Sequence, residues 1–158
     1  SRGLGDVYKR QLSDTVMTFI SACQHRFIIV KDDPSSIADA YASIKVMIQD
    51  YQLDNISIIT NCMASPEEGD RLYQGVDSVI QRFLGGQVGH LGTIREDEMV
   101  LRSIKASKPL LKFSPSCAAA RDFEKLAKAV TKLTTKTAIS GGLQFFLERL
   151  TRQDTTNK

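Results

Sequence analysis

A reactive centre needs side chains that ionise, ligate or attack, and few are placed to do so here. His25 and His90 stand far apart in the chain. Neither has a carboxylate or cysteine at ligand spacing, and each reads as a satisfied structural histidine. Cys23, Cys62 and Cys117 form no CxxC pair. An odd, dispersed set of this kind reads as reduced, partly buried thiols. Gly85-Gly86 and Gly89 make a glycine cluster without the GxxxxGK[ST] pattern that cradles phosphates. No Ser-His-Asp arrangement, carboxylate pair or zinc spacing can be assembled. Asp33, Asp39 and Asp97 suit helix starts, where the macrodipole and capping favour a carboxylate. Asn61 suits a turn. On side-chain chemistry alone no active site is visible.

The elements that would carry these residues alternate between helix and strand. Val16, Phe19, Ile20 and Cys23 fall at helical spacing on one face. Phe27 to Val30 is a continuous apolar run of strand length, as expected for a strand covered on both sides. Asp33-Pro34 opens a helix with Ile37, Tyr41, Ile44, Ile48 and Tyr51 on one stripe. Ile56 to Ile59 is a second strand. Ser65-Pro66-Glu67-Glu68 is a strong helix start, with a capping serine, proline at the first helical position and a glutamate to close a capping box. That helix buries Leu72, Val76, Val79, Ile80 and Phe83, and Gly85-Gly86 ends it. A third strand runs near Val88 to Ile94, and a short helix from about Asp97 to Lys105. Ser114-Pro115 caps a further helix with Phe123, Leu126, Ala127 and Val130 at helical spacing. Strands separated by helices predict an α/β fold with a parallel sheet flanked by helices.

The bulk numbers fit one modest domain: 158 residues, 42% hydrophobic and 25% charged. No apolar run approaches the ~20 residues of a membrane span, and no signal peptide is visible. The net charge is +3, and Arg2, Lys9 and Arg10 against Asp6 place two of those charges in the first eleven residues. Charge therefore gives nucleic-acid binding no support. Residues 1–11 lack an initiating methionine, read like a translated sequencing adapter, and are expected to be a non-native leader. Thr131 to Thr137 is rich in threonine and lysine. Beyond Gly141-Gly142, Leu143, Phe146, Leu147 and Leu150 make one apolar face opposite Gln144, Glu148 and Arg149. The expected organisation is a leader over 1–11, a domain over 12–135, and a linker with an amphipathic helix over 136–158.

Four spaced stretches resemble the FleN/FlhG branch of the MinD/ParA ATPases. Leu12-Ser13-Asp14-Thr15-Val16 is similar to the family's "GISDSV". Residues 32–41, DDPSSIADAY, resemble "DEPTSITDAY", and residues 61–69, NCMASPEEG, resemble "NMVRSPQEG". Residues 142–150, GLQFFLERL, resemble the closing "GGLEFFVERL". The likeness runs from Leu12 to Leu150. It implies the carboxyl-terminal part of a MinD-like P-loop NTPase, whose phosphate loop, signature lysine, metal ligands and switch aspartate precede the similar region. Phosphoryl transfer depends on positioning phosphates and metal, so the resemblance implies no ATPase activity for this chain alone.

By resemblance, ATP and magnesium are cofactors of the intact protein, and Asn61, Arg95 and Asp97 lie at the nucleotide base. Residues 94–97, IRED, match the family's "IPED", with Arg95 in place of proline. Asp39 matches the partner of the signature lysine, and Asp33 an acidic position near the dimer interface. The resemblance further implies a homodimer and flagellar partners: the GTPase FlhF, switch-complex proteins or a FleQ-type activator. It also implies a cytoplasmic protein that binds the membrane surface weakly through Leu143, Phe146, Leu147 and Leu150. A MinD or ParA protein for division-site or chromosome positioning has the same outline. A non-enzymatic α/β interaction module is the reading from a different class.

Overall fold

The computed structural model describes residues 13–133. The leader over 1–11 and the apolar face at Leu143, Phe146, Leu147 and Leu150 lie outside the described residues. Ser13 caps α1 (Asp14–Ala22) through the Val16 amide. Strand β1 (Arg26–Val30) follows, then α2 (Pro34–Lys45), which widens into a π turn over Val46–Asp50. Next come β2 (Ile56–Met63), α3 (Pro66–Leu84) and β3 (Gly89–Arg95). Helices α4 (Glu98–Lys105), α5 (Leu110–Phe113) and α6 (residues 118–133) complete the described chain.

The strands form one parallel sheet in the order β1-β2-β3. On one face Val30, Ile56 and Ile58 pack with Met17, Ala40, Ile44, Val76 and Ile80 from α1, α2 and α3. On the other, Ile94 and partly buried Ile59 and Leu91 meet Ala119 and Leu126 of α6, with Val100 and Leu110 from α4 and α5. Among the described residues, the second layer covers β2 and β3 but not β1. Phe27 and Ile29 are therefore 38% and 61% exposed, which corrects the expectation of a strand covered on both sides.

Other expected faces shift for the same reason: apolar periodicity finds a stripe without saying what lies against it. Met17 and Ile20 turn α1 inward, leaving Val16 and Phe19 exposed. Val79, Phe83 and Phe123 are also exposed. The helix expected from Ser114-Pro115 begins only at residue 118, because residues 115–117 form a turn.

One buried charge locks the start of the sheet. The Arg26 guanidinium, 8% exposed, donates to the carbonyls of Ile20 (3.0 Å), Ser21 (3.1 Å) and Asp54 (2.7 Å). It ties the open carbonyl end of α1 to the loop before β2, so the last-turn acceptors are satisfied.

Candidate functional site

Parallel pairing puts all three strand carboxyl ends on one edge, where open α/β sheets take their ligands. Asp33 lies just past β1. Asn61 sits near the end of β2, in register with Ile94, and Met63 pairs with Arg95 at the end of β3. Asp97 follows. Four of the five candidate site residues thus share this edge. Asp39 lies farther along α2 and lines a hollow of about 530 Å³ with Phe27, Ile29, Ser35 and Ser36.

A backbone irregularity aims Asn61. The β2–β3 register shifts between Asn61 and Met63, and the intervening Cys62 has a left-handed φ of 59°. Bulges of this kind redirect side chains at strand ends. No described residue hydrogen-bonds the Asn61 carboxamide, and among the described residues no buried polar side-chain atom lacks a partner. Its donor and acceptor therefore face solvent at the sheet edge, as a group that pairs with a heterocycle edge requires.

Arg95 and Asp97 are committed elsewhere. The Arg95 guanidinium grips Asp122 of α6 through Nε (2.8 Å) and a terminal nitrogen (2.9 Å), and its backbone amide donates to the same carboxylate (3.1 Å). Asp122 is 4% exposed. Burial alone would push its carboxyl up, but Arg95 outweighs this and holds it below the ordinary range. Asp97 accepts from the Met99 amide (3.0 Å) and the Ala119 amide (3.1 Å), so one carboxylate caps α4 and α6 together. Those two amides lower its pKa. These bonds tie the loop that follows β3 to α4 and α6.

Asp33 accepts from the Ser35 hydroxyl (2.6 Å) and the Ser36 amide (2.8 Å), which lower its pKa and cap α2. The reciprocal cap expected at α3 is present: Ser65 accepts from the Glu68 amide (3.3 Å), and Glu68 accepts from the Ala64 amide (2.8 Å). It fixes the turn directly after Asn61.

A polar cluster escaped the linear reading of His90. Asp70, distant in sequence, comes within 3.1 Å of its Nδ1, while Nε2 lies 3.3 Å from the Thr60 hydroxyl. The imidazole stacks on Tyr73 with ring centroids 4.7 Å apart. This resembles an acid–base–nucleophile order, but Thr60 is fully buried and shares its hydroxyl with Thr93 at 2.9 Å. No substrate can reach it, so the cluster is a packed polar network joining α3 to the sheet. Only strand register and helix placement bring these residues together, and no local motif marks them.

A hollow of about 610 Å³ between α2 and α3 is lined by Ile37, Tyr41, Leu72, Val76 and Val79, with Arg71 its one charged group. Among the described residues, no three histidines, cysteines or carboxylates are grouped to hold a metal ion. No described helix is long and apolar enough to cross a membrane.

No family model matches the chain. It is similar to the antiactivator FleN of Pseudomonas aeruginosa, at 31% identity over 145 residues, covering 92% of this chain and 52% of that protein. It is also similar to the flagellum site-determining protein YlxH of Helicobacter pylori, at 30% identity over 140 residues, covering 86% and 47%. The chain spans about half the length of these relatives.

Proposed function

We propose, from the premise that this chain belongs to the FleN/FlhG-type MinD/ParA family, that it is the carboxyl-terminal half of an ATP-dependent regulator of flagellar number and placement. The observation that carries this reading is the gathering of Asp33, Asn61, Arg95 and Asp97 on the carboxyl edge of one parallel sheet. The name of one relative, a flagellum site-determining protein, supports the flagellar part, and that of the other, an antiactivator, supports a regulatory role.

In this reading ATP with magnesium, when bound, supplies the free energy that drives two protomers together. This chain holds the base end of the nucleotide. Asn61 pairs its carboxamide with the adenine edge, acting as donor and acceptor at once. Arg95 and Asp97 act at one remove: the clamp on Asp122 and the double cap fix the loop that lies against the base. Asp39, at the open side of β1, meets the signature lysine of the preceding half, and Asp33 lies toward the dimer interface. The flagellar GTPase FlhF, switch proteins and a FleQ-type activator are the partner classes to try.

The test is calorimetric titration of ATP into a protein whose coding region extends upstream of Leu12. Asn61→Ala is expected to weaken binding by about 1–3 kcal/mol, or roughly 5-fold to 150-fold, because a buried adenine group loses its partner. Affinity equal to the parent would reduce Asn61 to a turn residue.

A further inference from the structure

Charge is divided between the two ends of the described fold. Residues 13–97 hold twelve carboxylates and six lysines or arginines, whereas residues 98–133 hold three and eight. The modest total of +3 hides this, since a net −6 and a net +5 nearly cancel.

The basic segment also exposes apolar side chains. Helix α4 turns Val100 and Ser103 inward and leaves Leu101 and Ile104 64% and 66% exposed. Lys105 shares their face by its helical spacing. The chain then turns through Ser107, Lys108 and Pro109 into α5, where Leu110 packs inward and Leu111 and Phe113 are 47% and 36% exposed. Lys105, Lys108 and Lys112 are exposed among them, and no carboxylate occurs from Arg102 to Phe113.

We propose that the α4–α5 surface docks on an anionic lipid bilayer, with Leu101, Ile104, Leu111 and Phe113 entering the headgroup boundary. Lys105, Lys108 and Lys112 lay their stems along the apolar surface and place their ammonium groups at lipid phosphates. Charge complementarity fixes the sign of the partner. Four aliphatic or aromatic tips make a nucleic acid a poor match, because such interfaces are polar. The tips project from two short helices joined at a proline. A fluid surface admits each one singly, whereas a protein must offer a pocket for each. The proposal rests on the described domain and not on ATP or on the apolar face at residues 143–150.

The test uses the 158-residue chain with Phe146→Glu, so that the distal face cannot account for binding. Co-sedimentation is measured with mixed phosphatidylglycerol/phosphatidylcholine vesicles and with pure phosphatidylcholine vesicles. Expected is binding to the anionic vesicles alone, weakening as salt rises. Leu101→Ser with Ile104→Ser should lower it roughly tenfold or more, as two exposed tips lose their burial. Lys105→Gln with Lys108→Gln and Lys112→Gln should lower it and flatten the salt dependence. All five positions are exposed, so far-UV circular dichroism should match the parent. Undiminished binding by the Leu101/Ile104 variant overturns the proposal, as does equal binding to pure phosphatidylcholine. Absence of binding to anionic vesicles also overturns it and leaves an acidic protein surface as the occupant.

Discussion

Replacing Gly69 by alanine should destabilise the domain, while the same change at Gly75, farther along α3, should stabilise it. Both positions are helical, so both gain about 0.5–1 kcal/mol from the smaller backbone entropy and better propensity of alanine. Space decides the sign. A Cβ on Gly75 meets nothing within 4 Å. A Cβ on Gly69 collides with the Thr93 hydroxyl and comes within 2.6 Å of Thr60 Oγ1 and Thr93 Cγ2. Thr60 is fully buried and hydrogen-bonded to Thr93, so neither side chain can swing aside without breaking that bond. Overpacking costs about 1–3 kcal/mol, and a lost buried hydrogen bond adds about 1 kcal/mol. Against the propensity gain, the net loss at Gly69 is about 1–3 kcal/mol. Urea titration followed by circular dichroism reads both changes, and each kcal/mol moves the melting temperature by about 2–4 °C at this size. Thr93→Ala removes two of the three colliding atoms and frees the Thr60 hydroxyl to turn away, so it should restore part of the loss in a double-mutant cycle. A Gly69→Ala chain as stable as the parent would mean that α3 does not rest on the sheet at this point, and the packed account of the His90 network would fall with it.

Two further outcomes follow from the carboxylates and from the distal segment. Asp33, Asp97 and Asp122 titrate below the ordinary range when folded, so the unfolded chain binds their protons more tightly. Their stabilisation is complete above the unfolded pKa, about 4, and is lost as pH falls through the folded values. The urea midpoint should be level from about pH 7 to 5 and drop below about pH 4; a midpoint unchanged at about pH 3 would contradict this. In a chain extended upstream of Leu12, the proposed function predicts that Phe146→Glu reduces ATP-dependent sedimentation with liposomes. A single apolar face at ~1.5–3 kcal/mol per large residue binds weakly once ordering is counted, and two faces on a dimer bind far better. Equal sedimentation would exclude Leu143, Phe146, Leu147 and Leu150 as an anchor.

Local signals in the sequence carried most of the fold. Ser65-Pro66 and Asp33-Pro34 marked helix starts because capping is settled within four residues, and Asp33, Ser65 and Asp97 do cap. The strand at Ile56 and the stop at Gly85, with its φ of 63°, were legible for the same reason. Distant pairings were not. Nothing near His90 announces Asp70, and nothing near Arg95 announces Asp122, because only the placement of α3 and α6 on the sheet creates those pairs. Arg95 shows the limit most clearly. Its place in the IRED stretch was readable, yet its guanidinium is bonded across the sheet to α6 rather than turned toward a ligand. The charge division between residues 13–97 and 98–133 was present in the sequence from the start, but a single net figure conceals it.

Strand β1 connects the fold with the proposed function. Among the described residues it pairs only with β2, and its outer residues Phe27 and Ile29 are exposed, whereas the equivalent faces of β2 and β3 are covered by α6. An apolar strand with one unpaired edge and one uncovered face invites pairing with another strand. Natural edge strands usually carry charge or proline against this, and the inner part of β1, Phe-Ile-Ile-Val, has neither. Asp39 lines the hollow at the same place. In the proposed reading a further parallel strand and its helix lie against β1, supplied by the preceding half of the protein together with the signature lysine. One arrangement then accounts for two separate features. Phe27 and Ile29 become interior residues, consistent with their unbroken apolar run, and Asp39 lies beside the cation that the family pairs with it. A stand-alone interaction module would leave this apolar edge and face exposed, whereas the preceding half of an ATPase would cover both, which is why the ATPase half is the stronger reading.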